Sequence, residues 1–250
     1  MQQGTEKRPP LDPRLDPGRM PRHIAVIMDG NGRWAERRGL SRAEGHEAGA
    51  RGVRAAIETC RGLGVRALTL YAFSTENWRR SKLEVDALFR LMSKYIRKEL
   101  DAIHRNNIRV RFLGEMDRLP ARAQADLRHC LETTAGNTAM DCCVALNYGG
   151  RTEIARAARA LCADALAGRV RPEDVDEDAV AARLYAPDLA EVDLLIRTSG
   201  EMRISNFLLW QISYAEIVVT PTLWPDFDQQ ALCDAVFEYQ SRSRRFGGRP

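Results

Sequence analysis

From position 24 to 28 the chain runs Ile-Ala-Val-Ile-Met without a polar interruption, bounded by His23 and Asp29. So short and continuous an apolar run predicts a strand at 23–29 that is covered on both faces. The spacing then changes. Residues 42–63 read as a helix, ended by Gly62 and Gly64, and 65–73 as a second strand. Over 82–103, Leu88, Met92, Ile96 (or Tyr95), Leu100 and Ile103 recur at helical spacing and predict an amphipathic helix. The alternation continues with strands at 108–113, 141–147, 192–197 and 216–220. Helices are expected at 121–134, 152–167, 177–185, 205–211 and 229–244.

Six strands, nearly all separated by helices, predict an α/β fold: a single domain with a mainly parallel six-stranded sheet flanked by helices. Five of the eleven prolines (Pro9, Pro10, Pro13, Pro17 and Pro21) fall at the start of the chain. That density breaks helices and ladders, so 1–21 is expected to be a mobile arm and 22–250 the folded domain. No apolar stretch approaches the roughly 20 residues of a membrane-spanning helix, and the first residues lack a secretory signal core. Six cysteines without a C-x-x-C pair, and four histidines without zinc-ligand spacing, argue against a disulfide framework or a structural metal. A reducing, cytoplasmic setting is expected.

The formal charge of +4 is too small to imply nucleic-acid binding, and none is expected. Of the 38 basic residues only Lys7, Lys82, Lys94 and Lys98 are lysines. An arginine excess can reflect codon usage, or guanidinium groups that grip phosphates bidentately; position decides which.

In parallel sheets, ligands bind beyond the carboxyl ends of the strands. The residues that follow the predicted strands are therefore the informative ones. Asp29-Gly-Asn-Gly-Arg-Trp34 follows the first, Ser74-Thr-Glu-Asn-Trp-Arg-Arg80 the second, Asn147-Tyr-Gly-Gly-Arg151 the fourth, and Arg197 to Ser205 the fifth. Gly30 and Gly32 suit either a plain turn or a loop whose free N–H groups cradle a phosphate. Arg33, with Arg42 and His46 at i, i+4 spacing, favours the anion site. Asp29 amid these cations either caps its own loop or holds Mg²⁺. Arg197, Arg203 and Ser205 look like a second cradle, and Glu216 is a further carboxylate. Trp34, Phe73, Trp78 and Trp210 suit a core better than a ligand wall. Two anion cradles beside an apolar helix that can line a tunnel suggest a lipid diphosphate.

These segments resemble the cis-prenyltransferases, the enzymes of undecaprenyl diphosphate synthesis in particular. The resemblance rests on His23–Trp34, Leu70–Trp78, Asn147–Gly150, 193–211, Trp224-Pro-Asp-Phe227 and the Arg244-Arg-Phe-Gly-Gly248 tail, and covers about 23–248. It implies a homodimeric, Mg²⁺-dependent isoprenyl transferase with an apolar substrate tunnel. Such an enzyme condenses isopentenyl diphosphate onto an allylic primer such as farnesyl diphosphate to give a long-chain Z-polyprenyl diphosphate for a cell-wall carrier lipid. It also implies a peripheral membrane contact for product release.

By the same resemblance Asp29 is catalytic and binds the metal, Asn77 is catalytic as a candidate proton acceptor, and Glu216 is the second metal carboxylate. Gly30, Asn31, Gly32, Arg33, Trp34, Arg42 and His46 match the allylic diphosphate site. Ser74, Thr75, Glu76, Trp78 and Arg80 match further substrate contacts. Arg197, Arg203, Ile204 and Ser205 match the isopentenyl diphosphate site, and the Arg245-Phe246-Gly247 tail is expected to reach a partner subunit's site. Small Ala72 near the tunnel favours a long product. The rivals are a non-catalytic regulatory subunit, which would lack Asp29 and parts of the diphosphate site, and an aspartate-nucleophile phosphatase, which would carry a second aspartate where Asn31 stands.

Overall fold

The computed structural model describes residues 12–243. The tail motif at 244–248 and the first eleven residues of the expected arm lie outside them.

The six strands are β1 (His23–Ile27), β2 (Ala67–Ser74), β3 (Ile108–Leu113), β4 (Met140–Tyr148), β5 (Leu194–Arg197) and β6 (Glu216–Val219). They pair in the order β3-β4-β2-β1-β5-β6, and every pairing is parallel. Each residue of β1 is buried, as its unbroken apolar run requires of a central strand with both faces covered. The helices are α1 (Asn31–Glu36), α2 (Arg42–Leu63), α3 (Lys82–Arg105), α4 (Ala121–Thr134), α5 (Gly150–Leu166), α6 (Glu177–Ala181) and α7 (Gln229–Ser241).

Sequence sets several of these boundaries directly. Ser41 accepts the Glu44 amide while the Glu44 side chain reaches back to the Ser41 N–H, a capping box that starts α2. Gly64, at φ 78°, ends the same helix in the left-handed conformation. One core packs Ile24, Val26, Leu68, Leu194 and Ile196 against Trp224, Phe227 and Val236. On another side Phe73, Phe89, Leu127 and Leu146 join the sheet to α3 and α4.

Two expectations are corrected, and an open alternative at Gly30 is narrowed. Residues 205–211 are not a helix but a chain of turns, because Ser205, Asn206 and Leu208 take φ of 47°, 60° and 45°. A right-handed helix cannot pass through left-handed residues. The segment after β1 is more than a turn: Gly30 at φ 110° is the N-cap of α1. Residues 12–20, expected within the mobile arm, pack on the domain. Leu15 is buried, Arg14 bonds Asp234 at 2.6 Å, and Gln240 accepts the Asp16 N–H at 2.9 Å and donates to the Asp16 carbonyl at 2.8 Å.

Candidate active site

The carboxyl ends of β1, β2 and β5 open onto a cavity of 1430 Å³. Its walls are largely apolar, with Val53 and Ile57 from α2 facing Leu88, Met92 and Ile96 from α3, and it runs down to Arg61 and Asn106 at the far ends of those helices. Its polar mouth gathers Asp29, Asn31, His46, Ser74, Glu76, Asn77, Arg80, Arg197, Arg203 and Ser205 from sequence positions far apart.

Asp29 follows β1 directly and is fixed by Thr198. The Asp29 N–H donates to the threonine hydroxyl at 2.8 Å, and that hydroxyl lies 2.6 Å from the Asp29 carbonyl. Three guanidinium groups converge on the Asp29 carboxylate, from Arg197 at 2.8 Å, Arg33 at 3.5 Å and Arg203 at 3.9 Å. Burial alone would raise the Asp29 carboxyl, but the bond and charge of Arg197, together with Arg33, outweigh it and hold the group below the usual carboxylate range. Arg33 also reaches Glu201 at 3.0 Å and the Ser199 hydroxyl at 2.5 Å. Glu201 in turn pairs closely with Arg203. Three cations against two carboxylates leave this mouth with a surplus positive charge. An incoming polyanion would neutralise it.

Arg197 is the least ordinary member. Only 4% of it is exposed, its Nη1 donates to the Ser205 hydroxyl at 2.8 Å and to the Arg203 carbonyl, and its Nε has no partner. A buried guanidinium with an unused donor is matched to an acceptor that arrives from outside. Across the mouth, His46 is kept neutral: burial, then the charge of Arg80, with Arg42 also opposing, lowers its pKa to about 4. Arg42, one turn before His46 on α2, is exposed, and its charge reaches the imidazole without lining the cavity.

Not every expected contact faces the cavity. Trp34 is buried, donates from its indole to Asp226 at 2.7 Å and lies under Arg38. Trp78 donates to Asn147 at 2.7 Å and packs on Phe73 and Phe89. Ile204 packs on the cluster that contains Phe207 and Leu208. These three shape the walls from behind. Asn77 does line the mouth, where its amide oxygen accepts the Ser74 N–H at 3.1 Å, and Ala72 lines the cavity below.

Glu216 is the clear exception. It opens β6 opposite Leu194, whereas Asp29 lies beyond Ile27, which pairs with Arg197 at the other end of β5. That separates the two carboxylates by more than about 10 Å along the sheet, at about 3.3 Å per residue. Glu216 pairs instead with Arg242 at 3.0 Å. Within one chain the two cannot share an ion. Among the described residues no three acidic, cysteine or histidine side chains cluster as a metal site. Asp29 would be the oxygen donor to Mg²⁺ here, whereas the buried, unpartnered Oδ1 of Asn31 lies against Gly49 of α2. That ion takes one or two protein oxygens and fills the rest of its shell with substrate phosphates and water.

Thr198, Ser199 and Glu201 hold Asp29, Arg33 and Arg203 in place, contacts that no sequence signal assigned, although they lie in the segment already singled out after β5. Asn206 makes another such contact.

With this geometry in hand, the similarities to known proteins are decisive. A family model described as undecaprenyl diphosphate synthase matches residues 27–247. The chain belongs to this prenyltransferase family. It is 49% identical over 238 residues to the isoprenyl transferase of Heliobacterium mobile, covering 95% of this chain and 92% of that protein. It is 47% identical over 228 residues to a Vibrio cholerae ditrans,polycis-undecaprenyl-diphosphate synthase described as (2E,6E)-farnesyl-diphosphate specific, covering 91% of each. The crystal structure of lavandulyl diphosphate synthase from Lavandula x intermedia, in complex with dimethylallyl diphosphate, superposes with a TM-score of 0.89 at 36% identity, covering 92% of this chain and 99% of that one. The cis-prenyltransferase resemblance read from the motifs is thereby borne out, and the chain is a prenyl transferase. No helix among the described residues is long and apolar enough to cross a membrane.

Proposed function

We propose that this protein condenses isopentenyl diphosphate repeatedly onto an allylic diphosphate such as farnesyl diphosphate, giving a long-chain Z-polyprenyl diphosphate of the undecaprenyl type that serves as a cell-wall carrier lipid. The observation that carries this reading is the gathering of Arg80, Arg197 and Arg203 at the mouth of a 1430 Å³ cavity whose deeper walls are largely apolar. Arg197, Arg203 and Ser205 would hold one diphosphate; Arg33, Arg42, His46 and Arg80 would hold the other. The growing hydrocarbon would occupy the space between α2 and α3.

In the reaction, the allylic carbon–oxygen bond breaks and its electron pair leaves with the diphosphate. The double bond of isopentenyl diphosphate attacks the resulting cation, and a proton is lost from the adduct. Arg33 and Arg80 stabilise the charge that develops on the departing group, and each such preorganised contact contributes about 2.7–4 kcal/mol. Asp29 would hold Mg²⁺, which when bound supplies charge neutralisation to the diphosphate. Apolar walls exclude the water that would capture the cation.

The protein is expected to act as a homodimer in the cytoplasm, with a peripheral membrane contact at product release. Glu216 supports the dimer: it can act on an ion only at a second subunit's Asp29. Ile217, Tyr214 and Phe237, all exposed around edge strand β6 and α7, supply an apolar face there. A non-catalytic subunit or a phosphatase is disfavoured because Asp29 is engaged by Arg33 and Arg197, a complete anion site.

The test is incubation of the full chain with radiolabelled isopentenyl diphosphate, farnesyl diphosphate and Mg²⁺, followed by thin-layer separation. A ladder ending in long polyprenyl products is expected. No incorporation of label overturns the proposal.

A further inference from the structure

Ser205 and Asn206 are consecutive non-glycine residues at positive φ, 47° and 60°. The left-handed region is disfavoured for residues that carry a Cβ, less so for asparagine than for serine, and neighbouring groups hold both residues there. Ser205 is held through its carbonyl, which accepts the Tyr71 hydroxyl at 3.2 Å. Asn206 is held at three points. Its carbonyl accepts the Gly150 N–H at 2.7 Å, and its Oδ1 accepts the Arg151 N–H at 2.9 Å, so both serve the first turn of α5. Its Nδ2 donates to Glu76 Oε1 at 3.0 Å.

Glu76 belongs to the segment after β2 that carries Ser74, Asn77 and Arg80. Ser205 belongs to the Arg197–Arg203 cradle. One asparagine side chain thus ties the two substrate-binding segments to each other and to the start of a rigid helix. The space it occupies has been kept clear: a Cβ on Gly149 would lie 2.8 Å from Asn206 Nδ2 and 2.8 Å from Thr75 Oγ1. The polarity of the contact is specific. An amide donor faces a carboxylate that is held ionised: burial alone would raise Glu76, and the Asn206 bond leads the interactions that lower it.

We propose that Asn206 is a positioning residue that sets the separation of the two diphosphate sites, acting through Glu76 on one side and Ser205 on the other. This rests on the proposed condensation. It adds that the distance between the reacting carbons is set by a side chain that need not touch either substrate, and such distances bear steeply on rate.

A double-mutant cycle on the full chain tests it. Asn206→Asp keeps the acceptor for the Arg151 N–H but sets a carboxylate against Glu76. Adding Glu76→Gln reverses donor and acceptor while keeping one carboxylate in the pair. Asn206→Asp alone should raise the KM for isopentenyl diphosphate and lower kcat, for a loss of about tenfold or more in kcat/KM, and the Glu76→Gln partner should recover part of it. Asn206→Gly tolerates the positive φ, and so keeps the protein folded while removing both side-chain bonds. It should show the same defect with a near-normal melting temperature.

Kinetic effects of Asn206→Asp and Glu76→Gln that simply multiply, or wild-type kinetics in Asn206→Gly, would overturn the inference while leaving the condensation in place. A wild-type chain that incorporates no isopentenyl diphosphate would instead remove the reading on which it rests.

Discussion

Asp29 Oδ2 lies 2.8 Å from Nη2 of Arg197, and this carboxylate is the one anionic side chain among the contacts of that buried guanidinium. The pair joins the carboxyl ends of neighbouring strands β1 and β5. The acid therefore compensates a buried cation in the free protein, and under the proposed reaction it would also offer oxygen to a metal when a diphosphate arrives.

Asp29→Ala should consequently reduce turnover by about 10²-fold or more, as loss of a principal electrostatic group does. It should also lower the melting temperature by several degrees, because one partner of a largely buried pair is left uncompensated. Inorganic diphosphate should restore part of that melting temperature by binding the freed arginines. Steady-state kinetics and thermal unfolding with and without diphosphate check both; wild-type turnover at saturating Mg²⁺ would contradict the assignment.

The two cationic groups should separate kinetically. Arg197→Ala and Arg203→Ala are expected to raise mainly the KM for isopentenyl diphosphate, since Arg197 binds the Ser205 hydroxyl and both guanidinium groups reach the Asp29 carboxylate. Arg42→Ala, whose charge acts on His46 across the mouth, should raise mainly the KM for the allylic substrate. Equal shifts of one KM by both sets would refute two distinct cradles.

His46 offers a pH test. Its pKa of about 4 in the free protein lies below the ordinary value of 6.5, so it is neutral at pH 5.5. A bound diphosphate favours the charged imidazolium and raises that pKa. Binding at pH 5.5 should then take up a fraction of a proton, measurable by calorimetry in buffers of different ionisation enthalpy and lost in His46→Gln. For stability the sign is fixed by the same shift. The unfolded chain protonates first, so the contribution of neutral His46 is complete above pH 6.5 and is lost as the pH falls towards 4.

Glu216 should behave as a residue of the opposite subunit. Glu216→Gln and Asp29→Ala chains should each be impaired alone. Mixed and reassociated, they should recover up to about a quarter of wild-type activity, because half the dimers would then contain one intact site out of two. No recovery in mixtures shown to contain heterodimers would return Glu216 to its pairing with Arg242.

Ala72 lines the cavity below the mouth, and its small side chain leaves room for the growing chain. Ala72→Leu should therefore shift products to shorter lengths while the first condensation proceeds at a near-normal rate. Thin-layer or mass analysis of the products reads this directly; an unchanged length distribution would exclude Ala72 as a determinant.

Local pattern determined a great deal here. The apolar run of 24–28 specified a central strand, and helical spacing located α2, α3 and α4 almost to the residue, because periodicity records which face is buried. The rule that ligands gather beyond the carboxyl ends of parallel strands then brings Asp29, the 74–80 segment and Arg197–Ser205 into one site from sequence alone. What local pattern could not supply was anything settled by a distant partner. Residues 205–211 have apolar spacing that suits a helix, yet their left-handed backbone is held by Asn206 bonds to residues 55 and 130 positions away. Trp34 and Trp78 are substrate contacts by resemblance, yet they turn into the protein, in keeping with the core role that their residue type favours. Glu216 is near Asp29 in the logic of the motifs and far from it along the sheet. The physical reason is common to all: sequence spacing encodes how often a side chain returns to one face, whereas the energy that offsets a strained backbone, a buried arginine or a displaced carboxylate comes from groups that only the folded chain brings within reach.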